Sequence, residues 1–340
     1  MVVAYYHFFS YSKIKIMANT KLRTKLKNAW TKAVKDEKII STVKTKNNGT
    51  FQFGVKMTKN KPCYFAYNTT LDKPIKAEIK EKKIAGTDFI IQLNEFRALR
   101  PGGDRPKVGR QPNISAMPAK CKFYCKNPKN PLSLSSRIVL AKATESKYNW
   151  NFYYNAFPFE AAGHFMILPA TKAKKSTLPH LPQKLTPILV KDLISLFKKS
   201  DGLVHIYQSL HAGATVNHFH LHTFFHTRKF AMQNAKIILN KLTDYPADAF
   251  VYSLKEEESI IWKAINILQK HEIPFDLVNM KGKVYLFPRH PQHEVVSEFP
   301  DGGIGVNELM GLFVTSSPTT YRKFTKRKLM KALEKTCLEI

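Results

Sequence analysis

The chain of 340 residues contains only four cysteines. Cys63, Cys121, Cys125 and Cys337 are too few and too scattered to form the disulfide framework of a small secreted protein, which indicates a reducing compartment. Cys121 and Cys125 have the spacing of half a zinc site, but no second cysteine pair follows them in the sequence. We therefore interpret this pair as structural and expect a cytoplasmic protein.

Long hydrophobic runs are also missing. The apolar opening MVVAYYHFFSYSKIKIM is broken by Lys13 and Lys15, is too short to cross a bilayer and has no convincing cleavage site, so we expect no membrane anchor. The basic, helix-like run from Lys21 to Lys35 leaves two interpretations. An upstream start codon could add a disordered tail, or the segment could be a weak organelle-targeting signal; we prefer the tail.

Acidic residues are scarce, with 25 Asp and Glu against 55 Lys and Arg, which gives a net charge of +30. Such a surface attracts nucleotides, phosphate and nucleic acid, and charge alone does not choose among these partners. The lysines are spread through most segments, so a solvated lysine-rich surface is the simpler interpretation. A hydrophobic content of 44% is enough for one large core or two modest ones.

Histidine, in contrast, is concentrated in one stretch, and six of the twelve lie between His205 and His226. In the segment QSLHAGATVNHFHLHTFF (208–225), His218, His220 and His222 alternate with Phe219, Leu221 and Thr223. Residues two apart on a strand point to the same side, so this pattern predicts a buried strand with a row of imidazoles on one face and core residues on the other.

A row of histidines suggests either a metal site or a nucleophile. His218 and His222 would stand roughly 13 Å apart along a strand, whereas each zinc–nitrogen bond measures about 2.1 Å, so at most a neighbouring pair could share one ion. Alternatively, a neutral imidazole attacks an electrophilic phosphorus while flanking histidines fix its tautomer and bind phosphate oxygens. The central residue, His220, is then the expected nucleophile.

The alternating pattern HFHLHTF (218–224) resembles the histidine-triad (HIT) superfamily, whose members transfer or hydrolyse nucleotides through a nucleotidyl-histidine. The longer 208–225 stretch is similar to the branch that contains GDP-hexose phosphorylases and diadenosine tetraphosphate phosphorylases. Gln208 stands where this branch usually has Asn, and His211 where it usually has Gly.

Further segments carry the same resemblance. FIIQLNEFR (89–97) resembles a GDP-hexose phosphorylase segment, and it ends at Arg97, which together with the loop arginines Arg100, Arg105 and Arg110 could clamp phosphates or remain solvated. NFYYNAFP (151–158) and GHFMILP (163–169) resemble the signature that precedes the triad strand, which implies that Asn155 lies near the ribose and His164 near the phosphates. FDLVNMKGKVYLFPR (275–289) and GIGVNELMG (303–311) resemble a second HIT-like half that follows the first.

The resemblance implies an α+β fold with a HIT-like antiparallel sheet and flanking helices, built as two HIT-like halves packed together. We predict a basic N-terminal extension over 1–26 that is expected to be disordered, a catalytic half over 27–230 and a second half with a basic C-terminal helix over 231–340. Helices are predicted from the Thr186 cap to a point before Asp201 and Gly202, over 230–242 and over 256–271. The last of these is predicted with Ile260, Ile261, Ala264, Ile265 and Leu268 facing inward. A hairpin turn is predicted at 281–283.

The function implied is a nucleotidyltransferase of the phosphorylase type, with GDP-hexose and inorganic phosphate as the preferred substrates and a covalent intermediate on His220 flanked by His218 and His222. Ser209 and the backbone around Gly213 to Thr215 would hold phosphate. The full set of expected substrate-binding residues is Asn155, His164, Gln208, Ser209, Gly213, Thr215, Asn217, Arg97 and Arg289.

Three alternatives stay open: a HIT-type hydrolase of nucleotide sugars or dinucleoside polyphosphates, a triad protein that acts on or binds nucleic-acid 5′ ends through its basic surface, and a catalytically silent nucleotide-binding protein. His222 at the third motif position favours hydrolases, and the double-half architecture favours phosphorylases. Triad enzymes generally need no metal, and the sequence leaves zinc and magnesium open.

Overall fold

The computed structural model describes residues 21–45, 49–99, 117, 121, 123, 137–155, 158–172, 179–291, 295–301 and 303–339. Within these ranges, no helix is both long and apolar enough to cross a membrane. Residues 1–20 of the predicted extension, Cys125 and the arginines at 100, 105 and 110 lie outside the described residues.

A ten-stranded sheet forms the centre of the molecule, and all of its strand pairs are antiparallel. The strands are β7 (Val139–Thr144), β8 (Asn149–Tyr154), β9 (His164–Ala170), β10 (Leu203–Gln208), β11 (Leu221–Phe225), β12 (Lys236–Ile238), β13 (Lys241–Thr243), β14 (Phe250–Ser253), β15 (Phe275–Met280) and β16 (Lys283–Pro288). Their order in the sheet is β12-β13-β14-β16-β15-β10-β11-β9-β8-β7.

The same order of elements occurs twice in this sheet. Each time, a three-stranded meander is followed by a helix and a hairpin, and the second hairpin strand pairs with the last meander strand. The helices are α2 (Pro187–Lys198) in the first repeat and α3 (Glu258–Lys270) in the second. β10 and β15, the first strands of the two hairpins, join the repeats with Ile206 opposite Val278. The predicted α+β class with a mainly antiparallel sheet is confirmed. The domain boundary at 230 stays a prediction, and one sheet contains strands from both sides of it.

Two smaller sheets and the remaining helices complete the described fold. Their strands are β1 (Ile40–Thr45), β2 (Gly49–Thr58), β3 (Lys61–Asn68), β4 (Lys73–Pro74), β5 (Ile79–Lys83), β6 (Ile90–Asn94) and β17 (Leu312–Thr315). One sheet has the order β1-β2-β3-β4, and the other has the order β17-β6-β5, in which β17 and β6 are parallel. The other helices are α1 (21–35), α4 (Val306–Met310), α5 (Pro318–Lys323) and α6 (Lys326–Thr336), with 3-10 helices at Glu95–Leu99 and Ala231–Asn234.

Hydrophobic cores cover both faces of the large sheet. Leu26 and Trp30 of α1 pack with α2, α3 and the face that includes Phe219 and Leu221. The opposite core contains Phe224 and residues from β17, α4 and α6. Because Leu26 is fully buried, the last residues of the predicted 1–26 extension belong to the folded part of the chain.

Local sequence signals explain several element ends. The Thr186 side chain accepts a hydrogen bond from Leu189 N at 3.3 Å and caps α2, where Pro187 occupies the first turn as predicted. The predicted hairpin is confirmed between β15 and β16. Its two turn residues, Lys281 and Gly282, have φ of 47° and 73°, which matches the right-handed twist of a two-residue hairpin.

Three helix predictions need correction. The helix predicted over 230–242 is wrong: a 3-10 turn at Ala231–Asn234 is followed by the hairpin β12-β13, whose turn residues Leu239 and Asn240 have φ of 49° and 61°. The predicted helix α3 is present, but Ile260 is 44% exposed because it lies near the solvent side of the first turn. The C-terminal helix is interrupted, since α5 ends at Lys323 and Thr325 caps α6.

Candidate active site

The histidine segment enters the sheet later than the sequence predicts. Only His222 belongs to a strand, since β11 begins at Leu221, whereas His218 and His220 precede it. The backbone of His220 is hydrogen-bonded by the side chain of Gln183 and not by a neighbouring strand. Gln183 Oε1 accepts from His220 N at 2.9 Å, and its Nε2 donates to His220 O at 3.0 Å. The prediction that all three histidines share one strand is therefore wrong.

The predicted division into two faces is nevertheless confirmed. Phe219, Leu221 and Thr223 are fully buried. Phe219 and Leu221 belong to the core beneath α1, α2 and α3. The rings of His220 and His222 stand beside each other with centroids 5.3 Å apart. Alternation along the segment thus separates packing side chains from imidazoles, as the sequence indicates.

His220 has the protonation pattern of a nucleophile. Its Nδ1 lies 2.7 Å from the carbonyl oxygen of His218. A carbonyl can only accept, so Nδ1 carries the proton and Nε2 keeps its lone pair. Burial lowers the pKa of His220 to about 4, and the hydrogen bond to His218 O opposes that shift without cancelling it. The ring is therefore neutral near pH 7, with the unprotonated Nε2 available to attack.

A chain of hydrogen bonds fixes the third histidine. The backbone N–H of Phe159 donates to His164 Nδ1 at 3.3 Å, so the proton of a neutral His164 sits on Nε2 and donates to His222 Nδ1 at 3.1 Å. Asn155 Nδ2 lies 3.4 Å from the same Nδ1. A neutral His222 then carries its proton on Nε2, as a donor. The structure thus brings Asn155, His164, His220 and His222 together.

His218 faces a different group of side chains. Its Nδ1 is 3.4 Å from Cys121 Sγ, and its ring centroid is 4.6 Å from that of His180. The side chain is 1% exposed, and burial, followed by the neighbouring His180 and His220, lowers the pKa of His218 to about 3. Its carbonyl, rather than its ring, is the group that meets His220.

The loop between β10 and the histidines holds most of the other predicted residues. Gln208 Nε2 donates to Ala212 O at 3.1 Å, and Ser209 Oγ accepts from Phe275 N at 2.8 Å. Gly213 has φ of 112°, a conformation that favours glycine. His211, which replaces the usual glycine, also adopts the left-handed region with φ of 66°. Thr215 is half-buried in the same loop.

Asn217 anchors the end of this loop: its Oδ1 accepts from Gln183 N at 2.8 Å. A cavity of about 270 Å³ opens beside it, and Ser209, His211 and Phe275 contribute to the wall. Ser209 and Asn217 therefore stabilise the loop through hydrogen bonds, and one side of the loop lines the cavity.

The two predicted arginines, Arg97 and Arg289, lie in different parts of the chain. Arg289 is 1% exposed and forms an ion pair with buried Asp276. Its guanidinium also donates to Ile304 O at 2.5 Å and Thr336 O at 3.0 Å. These buried partners make Arg289 a core residue of the second half. Arg97 lies in the 3-10 helix Glu95–Leu99.

Arg97 interacts electrostatically with Glu308 of α4. Burial raises the pKa of Glu308 to about 7, although backbone N–H donors and the positive charge of Arg97 oppose this rise. Glu308 Oε2 accepts from Gly305 N at 2.9 Å. A Cβ placed on Gly305 would come within 3.4 Å of Gln208 Nε2, so the GIGVNELMG run approaches the histidine loop. The second half therefore lies close to the loop that precedes the histidines.

Sequence reasoning missed three residues of the site. Gln183 also donates to Gln208 O at 2.8 Å, so it ties β10 to the backbone of His220. His180 lies against His218. Arg137 Nη1 is 3.7 Å from Met166 Sδ, and Met166 pairs with His222 across β9 and β11, so Arg137 brings a positive charge to the imidazole face. The prolines at 179 and 182 mark the stretch that holds His180 and Gln183 as irregular, and no local pattern marks Arg137.

Comparisons with known proteins agree with this architecture. The family model described as GDPGP1-like, C-terminal domain, matches residues 222–339. GDP-D-glucose phosphorylase 1 of Danio rerio is 26% identical over 229 residues, which cover 63% of this chain and 62% of that protein. The match therefore spans less than two thirds of that relative's length.

Solved structures of yeast Ap4A phosphorylase Apa2 share the fold. The complex with Ap4A matches with a TM-score of 0.53 and 14% identity over 77% of this chain and 90% of that chain. The structure with AMP matches with a TM-score of 0.51 and 14% identity over 77% and 89%. The predicted resemblance is thus confirmed: the chain shares the fold of Ap4A phosphorylase Apa2, and its residues 222–339 match the GDPGP1-like C-terminal domain.

Proposed function

We propose that this protein is a nucleotide-sugar phosphorylase that converts GDP-hexose and inorganic phosphate to GDP and hexose 1-phosphate. The observation that carries the proposal is the hydrogen bond from His220 Nδ1 to His218 O at 2.7 Å, because it leaves a neutral imidazole with its Nε2 lone pair exposed to reaction. The similarity to GDP-D-glucose phosphorylase 1 supports the choice of substrate.

In the first step, His220 Nε2 attacks the α-phosphorus and a nitrogen–phosphorus bond forms. The bond from the α-phosphorus to the bridging oxygen breaks, and hexose 1-phosphate departs with that oxygen and its electron pair. The Nε2–H of His222, held by His164 and Asn155, is suited to stabilise the charge that develops on the phosphate oxygens.

In the second step, an oxygen of inorganic phosphate attacks the same phosphorus. The nitrogen–phosphorus bond breaks, its electron pair returns to Nε2, and GDP leaves with the His220 imidazole restored. Two in-line displacements replace one difficult transfer. Arg137 supplies a cation beside the face on which these oxygens must lie, and burial lowers the pKa of its guanidinium.

The positive surface supports capture of the anionic substrates. With 55 basic and 25 acidic residues, the chain raises the local concentration of nucleotides and phosphate. Binding of nucleic-acid 5′ ends through the same surface stays a prediction, tested by whether RNA binding falls steeply with salt. The cytoplasmic location also stays a prediction.

The test is a product assay on GDP-hexoses, diadenosine polyphosphates and UDP-sugars, each with and without phosphate. We expect GDP and hexose 1-phosphate from a GDP-hexose only when phosphate is present. His220→Asn should abolish turnover and retain nucleotide binding, whereas His271→Asn, at the exposed C-terminus of α3, should leave turnover unchanged. Release of GMP without phosphate would instead identify a hydrolase, and no turnover of any substrate would refute both activities.

A further inference from the structure

A second cluster of reactive side chains includes His218, which precedes the proposed nucleophile His220 by two residues. Cys121 Sγ and one ring nitrogen each of His180 and His218 all lie within 4.8 Å of one another. Cys121 and His218 are buried and His180 is half-buried. None of these three side chains has a role in the displacement steps, so their convergence calls for a separate explanation.

The spacing fits a tetrahedral zinc ion. Zn–S and Zn–N bonds of about 2.3 Å and 2.05 Å at a tetrahedral angle place sulfur and nitrogen about 3.6 Å apart. The distance from Cys121 Sγ to His218 Nδ1 is 3.4 Å. The three atoms therefore need only small movements to share one ion at their centre.

The surroundings have the features that support zinc ligands. The Phe123 backbone N–H donates to Cys121 Sγ at 3.4 Å, and this contact orients the sulfur. The His218 ring also hydrogen-bonds the Pro179 carbonyl. Metal-bound histidines usually donate their second ring N–H to such an acceptor, which orients the ring. One thiolate and two imidazoles suit zinc, whereas magnesium and calcium require oxygen ligands.

We propose that Cys121, His180 and His218 bind one zinc ion, which serves as a structural clamp behind the active site. The fourth tetrahedral position would be taken by water or by a further ligand. Zinc binding does not depend on the proposed function, but its consequence rests on it: the clamp would fix His218, whose carbonyl holds the proton-bearing nitrogen of His220. The ion itself would take no part in phosphoryl transfer.

The test is zinc content, measured by inductively coupled plasma mass spectrometry on tag-free, full-length protein after dialysis against zinc-free buffer. We expect about one zinc per chain in the wild type. The zinc content of Cys121→Ser and of His180→Gln should be about tenfold lower than that of the wild type or lower still, because each substitution removes a direct ligand. Cys63→Ser, a half-buried cysteine of β3 outside the cluster, is the matched control and should keep its zinc.

A second measurement covers the case in which a variant does not fold. Wild-type protein stripped of metal and reconstituted with cobalt should show the near-ultraviolet charge-transfer band of a cobalt–thiolate bond. The proposal would be overturned by any of three results. The wild type could contain no zinc after growth with added zinc, Cys121→Ser could contain as much zinc as the wild type, or the cobalt-substituted protein could lack the charge-transfer band. None of these measurements uses substrate, so absence of zinc would not refute the proposed phosphorylase activity. Absence of phosphorylase activity in zinc-containing protein would refute the proposed function and leave the zinc site unaffected.

Discussion

Replacement of Gln183 by methionine should remove the backbone support of His220, the proposed nucleophile. The side chain keeps its length, but three hydrogen bonds of 2.8 to 3.0 Å to Gln208 O, His220 N and His220 O are lost. At about 1 kcal/mol for each bond, unfolding free energy should fall by about 3 kcal/mol. Because the backbone of His220 then loses its fixed position, turnover should fall by about 100-fold, as is typical of a displacement of about 1 Å.

The assay combines denaturant unfolding with kcat and KM on GDP-hexose at a temperature where the variant is folded. Gln269→Met is the matched control, since Gln269 also bridges a backbone N–H and carbonyl, those of Leu185, each at 3.0 Å, and it lies on α3. It should lose about 2 kcal/mol of stability and keep its kcat. Unchanged turnover in folded Gln183→Met would refute the role assigned to Gln183.

Three further substitutions test other parts of the account. Gly213→Ala forces an alanine to φ of 112° and its Cβ against Gln208 Nε2, so unfolding free energy should fall by about 1 to 2 kcal/mol and KM should rise; unchanged values would show that the loop adapts. Arg289→Met leaves the carboxylate of Asp276 buried without its partner and should cost about 3 to 5 kcal/mol in denaturant unfolding, whereas a loss below 1 kcal/mol would contradict the ion pair's structural role. Burial lowers the pKa of His205 to about 3 from an unfolded value of 6.5, so its neutral form contributes stability above pH 6.5 that is lost as pH falls toward 3. Between pH 7.5 and 5.5 the wild type should therefore lose about 1.4 kcal/mol more than His205→Gln, and equal losses would argue against a neutral buried imidazole.

The sequence predicts the face of each residue in the histidine segment better than its secondary structure. Alternation requires only an extended backbone, so Phe219 and His220 point to opposite sides even though β11 starts at Leu221. What replaces the missing strand is the side chain of Gln183, 37 residues away in the chain. A partner at that separation leaves no periodic pattern.

The same limit explains the other differences. The 230–242 segment has apolar residues at spacings that fit a helix, but Leu239 and Asn240 both take positive φ, which reverses the chain into a hairpin. Arg289 follows a strand as a substrate-binding arginine would, and only the cross-strand neighbour Asp276 reveals its structural role. Asn155 and His164, in contrast, were found because each lies in a local motif.

The covalent intermediate is the central claim, and intact mass measurement tests it most directly. Wild-type protein mixed with GDP-hexose in the absence of phosphate, then denatured at alkaline pH to protect the nitrogen–phosphorus bond, should gain the mass of one guanylyl group. Phosphate added before denaturation should remove the adduct and yield GDP, and His220→Asn should never form it. Turnover of GDP-hexose by wild-type protein without any adduct, or an adduct that persists in His220→Asn, would contradict nucleotidyl transfer through His220.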